Sequence, residues 1–173
     1  MYEYRSTAIV LDAEPVGEAD TRFSLFTERF GRIVVRGKSA RKITSKLTPH
    51  LQIGDVASVR IVEKNGMRIA DALKERRLPH APSDLRALNH LIHDAERDNE
   101  LWNTLTGAAY HWRVVLALLG WDPAHASCSQ CAKRPCAFVI GTQEFVCAAH
   151  TPARTSMETN ASKLEPGAVI SMG

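Results

Sequence analysis

The sequence predicts an α+β chain: a small closed β-barrel of five strands, followed by a small α-helical domain that ends in a cysteine-rich knuckle. Three observations predict it. Five short β-prone runs separated by turn residues fall within the first 78 of 173 residues. Beyond Pro79 and Pro82 the apolar residues recur at steps of three to four. All four cysteines lie between positions 128 and 147. This length buries one real core, or two small ones, without disulfides. A charged fraction of 24% excludes a wholly disordered chain.

The first strand is expected at Thr7–Asp12, an apolar and partly β-branched run. Thr21–Thr27 alternates, with Phe23, Leu25 and Thr27 on one face. Gly31 opens the third strand, Arg32–Lys38, in which Ile33 and Val35 alternate against Arg32, Val34 and Arg36. The fourth, Asp55–Val62, carries Val56 and Val59 in a mostly buried run. Asn65-Gly66 is the strongest hairpin signal in the chain and leads into the fifth strand, Met67–Leu73. Ser83 is placed to cap a helix through Leu85, Leu88, Leu91/Ile92 and Ala95. The acidic stretch DAERDNE is a polar exit or a joint. A second helical stripe follows through Leu101/Trp102, Leu105, Ala108/Ala109, Trp112, Val115/Leu116 and Leu119, with Gly120 as its stop. Two helices, or one broken helix, are expected, with Trp102, Trp112 and Trp121 in the core.

The expected units are therefore 1–78, a nucleic-acid-binding barrel; 83–150, a helical domain with a knuckle at 128–150; and 151–173, a weakly ordered tail rich in Thr, Ser, Ala, Pro and Gly. The longest apolar run, Val114–Leu119, is far too short to span a membrane. The N-terminus lacks a basic-then-apolar signal pattern, so a cytoplasmic location is expected.

The formal net charge of +3 hides its distribution. Residues 32–46, RIVVRGKSARKITSK, hold six basic side chains (Arg32, Arg36, Lys38, Arg41, Lys42 and Lys46) and no acidic one. That segment carries +6, so the other 158 residues sum to −3. Uncompensated cations interleaved with Gly37, Ser39, Thr44 and Ser45 supply what phosphate oxygens bind: charge, hydroxyls and backbone amides. The competing reading is a solvated loop that only maintains solubility. Gly37-Lys38-Ser39 resembles the end of a P-loop, but five residues separate Gly31 from Gly37 where that motif needs four, and the RIVVR between them is β-prone. Nucleotide hydrolysis is rejected on that ground.

Cys128-x-x-Cys131 is followed, fifteen residues later, by Cys147-x-x-His150. Two ligand pairs on tight turns close a tetrahedral zinc site, so one structural Zn2+ on Cys128, Cys131, Cys147 and His150 is expected. Cys136 is either a rival fourth ligand or a free thiol. The intervening segment reads as a hairpin of Phe138–Ile140 and Glu144–Val146 around Gly141-Thr142, a zinc-ribbon-like knuckle. A disulfide framework would need an oxidising compartment, and a redox pair would need a thioredoxin-like strand–helix context. A zinc deaminase would need a His-x-Glu motif, which is absent. A zinc hydrolase would need an open coordination position and a carboxylate base, and Glu144 is the only acid within the knuckle. His90 and His93 read as solvated helical side chains. No catalytic residue is expected.

Several segments carry a family resemblance. Tyr4–Leu11, Gly17-Glu-Ala-Asp20, Leu25-Phe-Thr-Glu28 with Gly31, Gly37-Lys-Ser-Ala-Arg-Lys42 and Ser45-Lys-Leu47 occur in the order of the opening of the RecO family of bacterial DNA repair and recombination mediators, which the chain resembles. Leu116–Pro123 leading into Cys128-x-x-Cys131 is similar to that family's approach to its zinc motif. The resemblance covers residues 2–150 in outline and is strongest over 2–75. It implies that the barrel is an OB-fold, and that the helical domain carries zinc. It also implies binding of single- and double-stranded DNA, annealing of complementary strands, and work with RecR and the single-strand-binding protein SSB to load RecA in the RecF pathway of the DNA-damage response, at the nucleoid. The helical region and the sequence after the second ligand pair are shorter than the family's, and His150 stands where a fourth Cys is more familiar. Bottom-up, a basic strand edge and loop on a small barrel suits tracking of a phosphate backbone with little sequence preference. The alternative is an RNA- or DNA-binding accessory protein of transcription or translation.

Overall fold

The computed structural model describes residues 1–94, 96–107, 110–152 and 168–172. Five strands, β1 (Tyr2–Val16), β2 (Asp20–Thr27), β3 (Gly31–Gly37), β4 (Asp55–Glu63) and β5 (Met67–Arg77), close a barrel in the order β1-β2-β3-β5-β4. This is the five-stranded OB-fold. Closure depends on the length of β1. Its residues 8–16 pair with β2 and its residues 2–9 with β4, with a bulge between Val10 and Asp12. The extra residue bends the strand so that it serves two neighbours. A single parallel register, Arg36 opposite Arg68, joins β3 to β5.

The barrel interior follows from strand alternation. Ala8, Val10, Phe23, Leu25, Ile33, Val35, Val59, Ile61 and Ile69 are buried in one cluster. Ile9 and Leu11 face the other side of β1, yet both are fully buried, and a helix, α1 (Pro82–Leu91), packs on β1. Each buried aliphatic of this size is worth about 1.5–3 kcal/mol. The unbroken apolar run Ala8–Leu11 thus reflects burial on both faces of the strand. Asn65 and Gly66 take positive φ angles of 55° and 106° at the β4–β5 turn, as the hairpin signal required.

The helical region is divided differently from the expected pattern. Among the described residues its short helices are α1, α2 (Asn99–Thr106) and α3 (Trp112–Leu118). Proline at the first helical position starts α1, with Ala81 as its N-cap; Ser83 does not cap it. Ile92 then turns extended. The acidic stretch is a joint, and Asp98 begins α2 by accepting the Leu101 N–H at 2.8 Å. Ala95, Ala108 and Ala109 of the expected stripe lie outside the described residues.

Two compact units result, Met1–Trp102 and Asn103–Gly173. The first extends past the expected boundary at 78, because α1 and the joint fold onto the barrel. In the second, β6 (Ala137–Val139) and β7 (Glu144–Val146) form the expected hairpin, and β8 (Val169–Ser171) adds to the free edge of β6. This corrects one part of the weakly ordered tail: residues 168–172 are ordered, with Ala168, Ile170 and Met172 buried, and Arg113 Nε donating to the Met172 carbonyl at 3.1 Å. Residues 153–167 of that segment lie outside the described residues. Phe138, fully buried, stacks edge-on with Phe145 and lies 5.4 Å from Trp121. Trp102 is buried, whereas Trp112 and Trp121 are half-buried.

Candidate nucleic-acid interface and metal centre

Alternation along β3 sends Arg32, Val34 and Arg36 outward and buries Ile33 and Val35. The two arginines have different surroundings. Arg32 is mostly buried; its Nε donates to Asn89 Oδ1 at 2.8 Å and its guanidinium pairs with Asp94. Arg36 is exposed and its Nε meets Asp20 Oδ2 at 2.7 Å. The other oxygen of Asp20 accepts the Ser39 N–H at 2.7 Å. The Ser39 amide, followed by the Arg36 guanidinium and the charge of Lys38, holds the Asp20 carboxyl below its ordinary range despite partial burial. Asp20 therefore ties the end of β3 to the start of the basic loop.

That loop, residues 38–47, is a series of turns, with Ser39 at φ 54°. Ala40 is buried and anchors it. The Arg41 N–H donates to the Ala19 carbonyl at 2.8 Å and Arg41 Nη1 to the Gly17 carbonyl at 3.0 Å. The Thr48 hydroxyl donates to the Ala40 carbonyl. Lys38, Arg41, Lys42 and Lys46 are exposed. Among the described residues none of these four has a carboxylate within ion-pair distance. Ile43 stands wholly in solvent between the cations. Beneath the loop lies a cavity of about 700 Å³ whose walls include Ala13, Phe23, Leu51 and Ile53, with Arg41 and Lys42 on its lining.

Of the six basic residues predicted to bind nucleic acid, the loop brings four together, places Arg36 beside them through Asp20, and leaves Arg32 apart. Arg32 is committed to α1 and the joint after it. The same joint covers part of the β2–β3 outer face, which OB-folds use for oligonucleotides. Trp102 packs on Phe26 with centroids 6.0 Å apart, and Asp94 bridges to Arg32. At Gly31 a Cβ would fall on the backbone of Glu96. Sequence reasoning placed Asp20 and Gly31 in family-like segments but gave neither a role in the site. The signal for Gly31 was the turn before β3; the partner that crowds it lies 65 positions away in sequence.

In the second unit the two ligand pairs sit on tight turns. The Ala132 N–H donates to the Cys128 carbonyl at 2.9 Å, and the His150 N–H to the Cys147 carbonyl at 3.0 Å. The β6–β7 hairpin brings the turns together. The ligand atoms of Cys128, Cys131, Cys147 and His150 all lie within 4.8 Å of one another. Cys131 Sγ lies 3.6 Å from Cys147 Sγ, and His150 Nδ1 lies 3.6 and 3.5 Å from the sulfurs of Cys128 and Cys147. Tetrahedral bonds of about 2.3 Å to sulfur and about 2.0–2.1 Å to nitrogen give edges of about 3.8 Å (S–S) and about 3.6 Å (S–N). The cluster therefore fits one tetrahedral metal ion. Cys136 packs beside it, half-buried, without joining the ligand set.

Burial pushes the Cys128 thiol up, but backbone amides at Gln130, Cys147 and Cys131 and the His150 ring outweigh it, bringing the thiol down to about 6. Burial likewise opposes the lowering of Cys147, which Cys131 and the Ala149 amide bring about. Hydrogen bonding to Cys128 and Cys147 raises His150. The lowered Cys128 and Cys147 favour the thiolate, the form that ligates a cation, whereas Cys131 beside them is raised and a metal would take His150 only in its neutral form. His90 and His93 are exposed and join no such cluster among the described residues. No helix among them is long and apolar enough to cross a membrane.

Comparison with known proteins agrees with this architecture. Residues 1–74 match the family described as Recombination protein O N terminal. Over 139 residues the chain is 30% identical to the DNA repair protein RecO of two strains of Cereibacter sphaeroides, an alignment that covers 72% of this chain. The same alignment covers 55% of those relatives, so the chain spans about half their length.

Proposed function

The chain belongs to the RecO family of DNA repair proteins, and from that membership we infer that it binds single- and double-stranded DNA through residues 38–46 and anneals complementary strands in recombinational repair. The observation that carries this reading is the cluster of Lys38, Arg41, Lys42 and Lys46, exposed on an OB-fold without carboxylate partners among the described residues. Such a loop neutralises phosphates irrespective of sequence. Annealing follows from that chemistry: two strands repel through their phosphates, and cations held on a rigid barrel lower the repulsion while bases pair. No bond is made or broken, so the function needs no catalytic residue.

On this reading the protein is a cytoplasmic, nucleoid-associated mediator that assists RecA loading, with RecR and SSB as its protein partners. The Cys128, Cys131, Cys147 and His150 centre holds one zinc ion, closed by four protein ligands and therefore structural. The decisive experiment is strand annealing followed by fluorescence, comparing the native chain with Lys38→Ala/Lys42→Ala/Lys46→Ala. Slower annealing and weaker binding of both DNA forms are expected. Native rates in the variant would sink the assignment of the loop.

A further inference from the structure

We propose that the mouth of the barrel between Tyr4, Phe30 and Met67 is a second nucleic-acid site, which takes one unpaired base of a single strand and holds its phosphate between Arg29 and Arg97. A cavity of about 360 Å³ opens there, lined by Tyr4, Arg29, Phe30, Ile61, Met67 and Arg97. Its volume falls within the range of small-ligand pockets, roughly 300–1,000 Å³. No residue of the basic loop lines it, so it is separate from the proposed loop site.

Three chemical features select the occupant. Tyr4 and Phe30 are half-buried aromatic rings with centroids 5.5 Å apart at 71°. The Tyr4 hydroxyl donates to Glu63 Oε2 at 2.8 Å, which fixes its ring. The Arg29 guanidinium lies 5.5 Å from the centre of the Phe30 ring. Among the described residues both arginines bond to neutral partners: Arg29 Nη1 donates to the Arg5 carbonyl at 3.3 Å, and Arg97 Nε to Asn99 Oδ1 at 2.9 Å. Among the described residues neither has a carboxylate within ion-pair distance. Rings, a thioether wall and two uncompensated guanidiniums suit a ligand that is flat, aromatic and anionic. A nucleotide meets all three conditions. A base within a duplex cannot reach such a site without leaving the stack, so the mouth discriminates single strands. The choice of DNA as ligand rests on the function proposed above.

The test uses the full chain and a roughly 12-nucleotide oligothymidylate carrying 5-bromouracil, a length within the range one OB-fold engages. Ultraviolet crosslinks are expected at Tyr4 or Phe30. Phe30→Leu should weaken single-strand binding roughly fivefold or more, and so narrow the ratio of single-strand to duplex affinity measured by anisotropy. Arg97→Ala, at an exposed position, should do the same while leaving the melting temperature in place. Crosslinks confined to residues 38–46, with native single-strand affinity in both variants, would overturn the proposal. So would crosslinking suppressed by the acidic peptide Glu-Glu-Trp-Glu-Glu but not by thymidine monophosphate, which would assign the mouth to a polypeptide. The two sites fail separately. If the triple lysine variant binds normally and Phe30→Leu does not, the loop assignment falls and the mouth stands; the converse removes the mouth alone.

Discussion

Replacing Lys38, Lys42 and Lys46 together by alanine gives a quantitative test, because each is exposed and has no ion-pair partner among the described residues. Each cation that neutralises a phosphate contributes about 0.7 to the slope of log K against log salt on single strands, and about 0.9 on duplex. Three such contacts amount to about 2.1 and about 2.7 respectively. Between roughly 50 and 200 mM salt, the single-strand figure means that the native chain loses about 20-fold more affinity than the variant. Arg32→Ala supplies the contrast. Its guanidinium is already paired with Asp94 and bonded to Asn89, so the slope should not change while stability falls. Anisotropy of a labelled oligonucleotide over a salt series reads the slopes, and thermal melting reads the stability. Surface substitutions of this kind shift stability by about 0.5 kcal/mol or less each, so the variant should remain folded. Parallel lines for the native chain and the triple variant would refute the reasoning, as would a slope change in Arg32→Ala equal to one phosphate.

Three further outcomes are expected. Cys128→Ser should release the metal and unfold the knuckle, since binding energy at a structural site is folding energy; one zinc per native chain, none in the variant and a lower melting temperature would be measured, and full stability of the native chain in excess chelator would contradict it. Gly31→Ala should cost more than Gly17→Ala: both positions have positive φ (68° and 59°), at about 1–2 kcal/mol each, but only at Gly31 does a Cβ meet the Glu96 backbone, and equal losses in chemical denaturation would remove the argument. Asp20 has a lowered folded pKa, so its hold on Ser39 is complete above the ordinary carboxylate value of about 3.9 and is lost as pH falls through the lower folded value; hydrogen exchange at Ser39 should be slow and its protection unchanged between pH 5 and 7, and fast throughout in Asp20→Asn, whereas equal protection in both proteins would show that the anchor lies elsewhere.

The barrel was legible because its signals are local. Alternation in Arg32–Lys38 and the Asn65-Gly66 turn each depend on a few consecutive residues, and all five strands appear where those signals place them. The observed strands are longer, since pairing extends β1 to Tyr2–Val16 beyond the apolar run at its centre. The four candidate metal ligands were legible for a similar reason: their spacing within each pair is the geometry of a turn. Sequence alone left Cys136 and His150 as rivals for the fourth place. The fold groups the His150 ring with Cys128, Cys131 and Cys147, their ligand atoms within 4.8 Å of one another, whereas Cys136 packs beside that group without joining it. Strand β8 was not legible: three residues ending a polar segment acquire strand character only because β6 offers an unpaired edge.

The basic segment shows why counting charges along a chain overstates a binding surface. Six cations in fifteen residues looked equivalent, but strand parity and long-range packing separate them into three kinds. Arg32 and Arg36 share the outward face of β3, four residues apart. The half of that face nearer Gly31 is covered by α1 and the joint after it, where Asn89 of the helix and Asp94 of the joint take Arg32. Arg36 lies at the other end, where Asp20 offsets its charge and uses it to hold the loop. Among the described residues, it is beyond Gly37, where the chain leaves the sheet, that the segment's cations have no carboxylate within ion-pair distance. The acids responsible, Asp20 and Asp94, come from outside the segment on both sides. The flanking sequence, negative overall, is therefore a structural counterpart to the basic run: it neutralises the arginines that build the barrel and leaves the loop to carry the positive charge. It follows that Asp20→Asn should raise the salt slope of DNA binding toward one additional phosphate, by releasing Arg36, even as it loosens Ser39. An unchanged slope would mean that Arg36 remains committed to the sheet without its carboxylate partner.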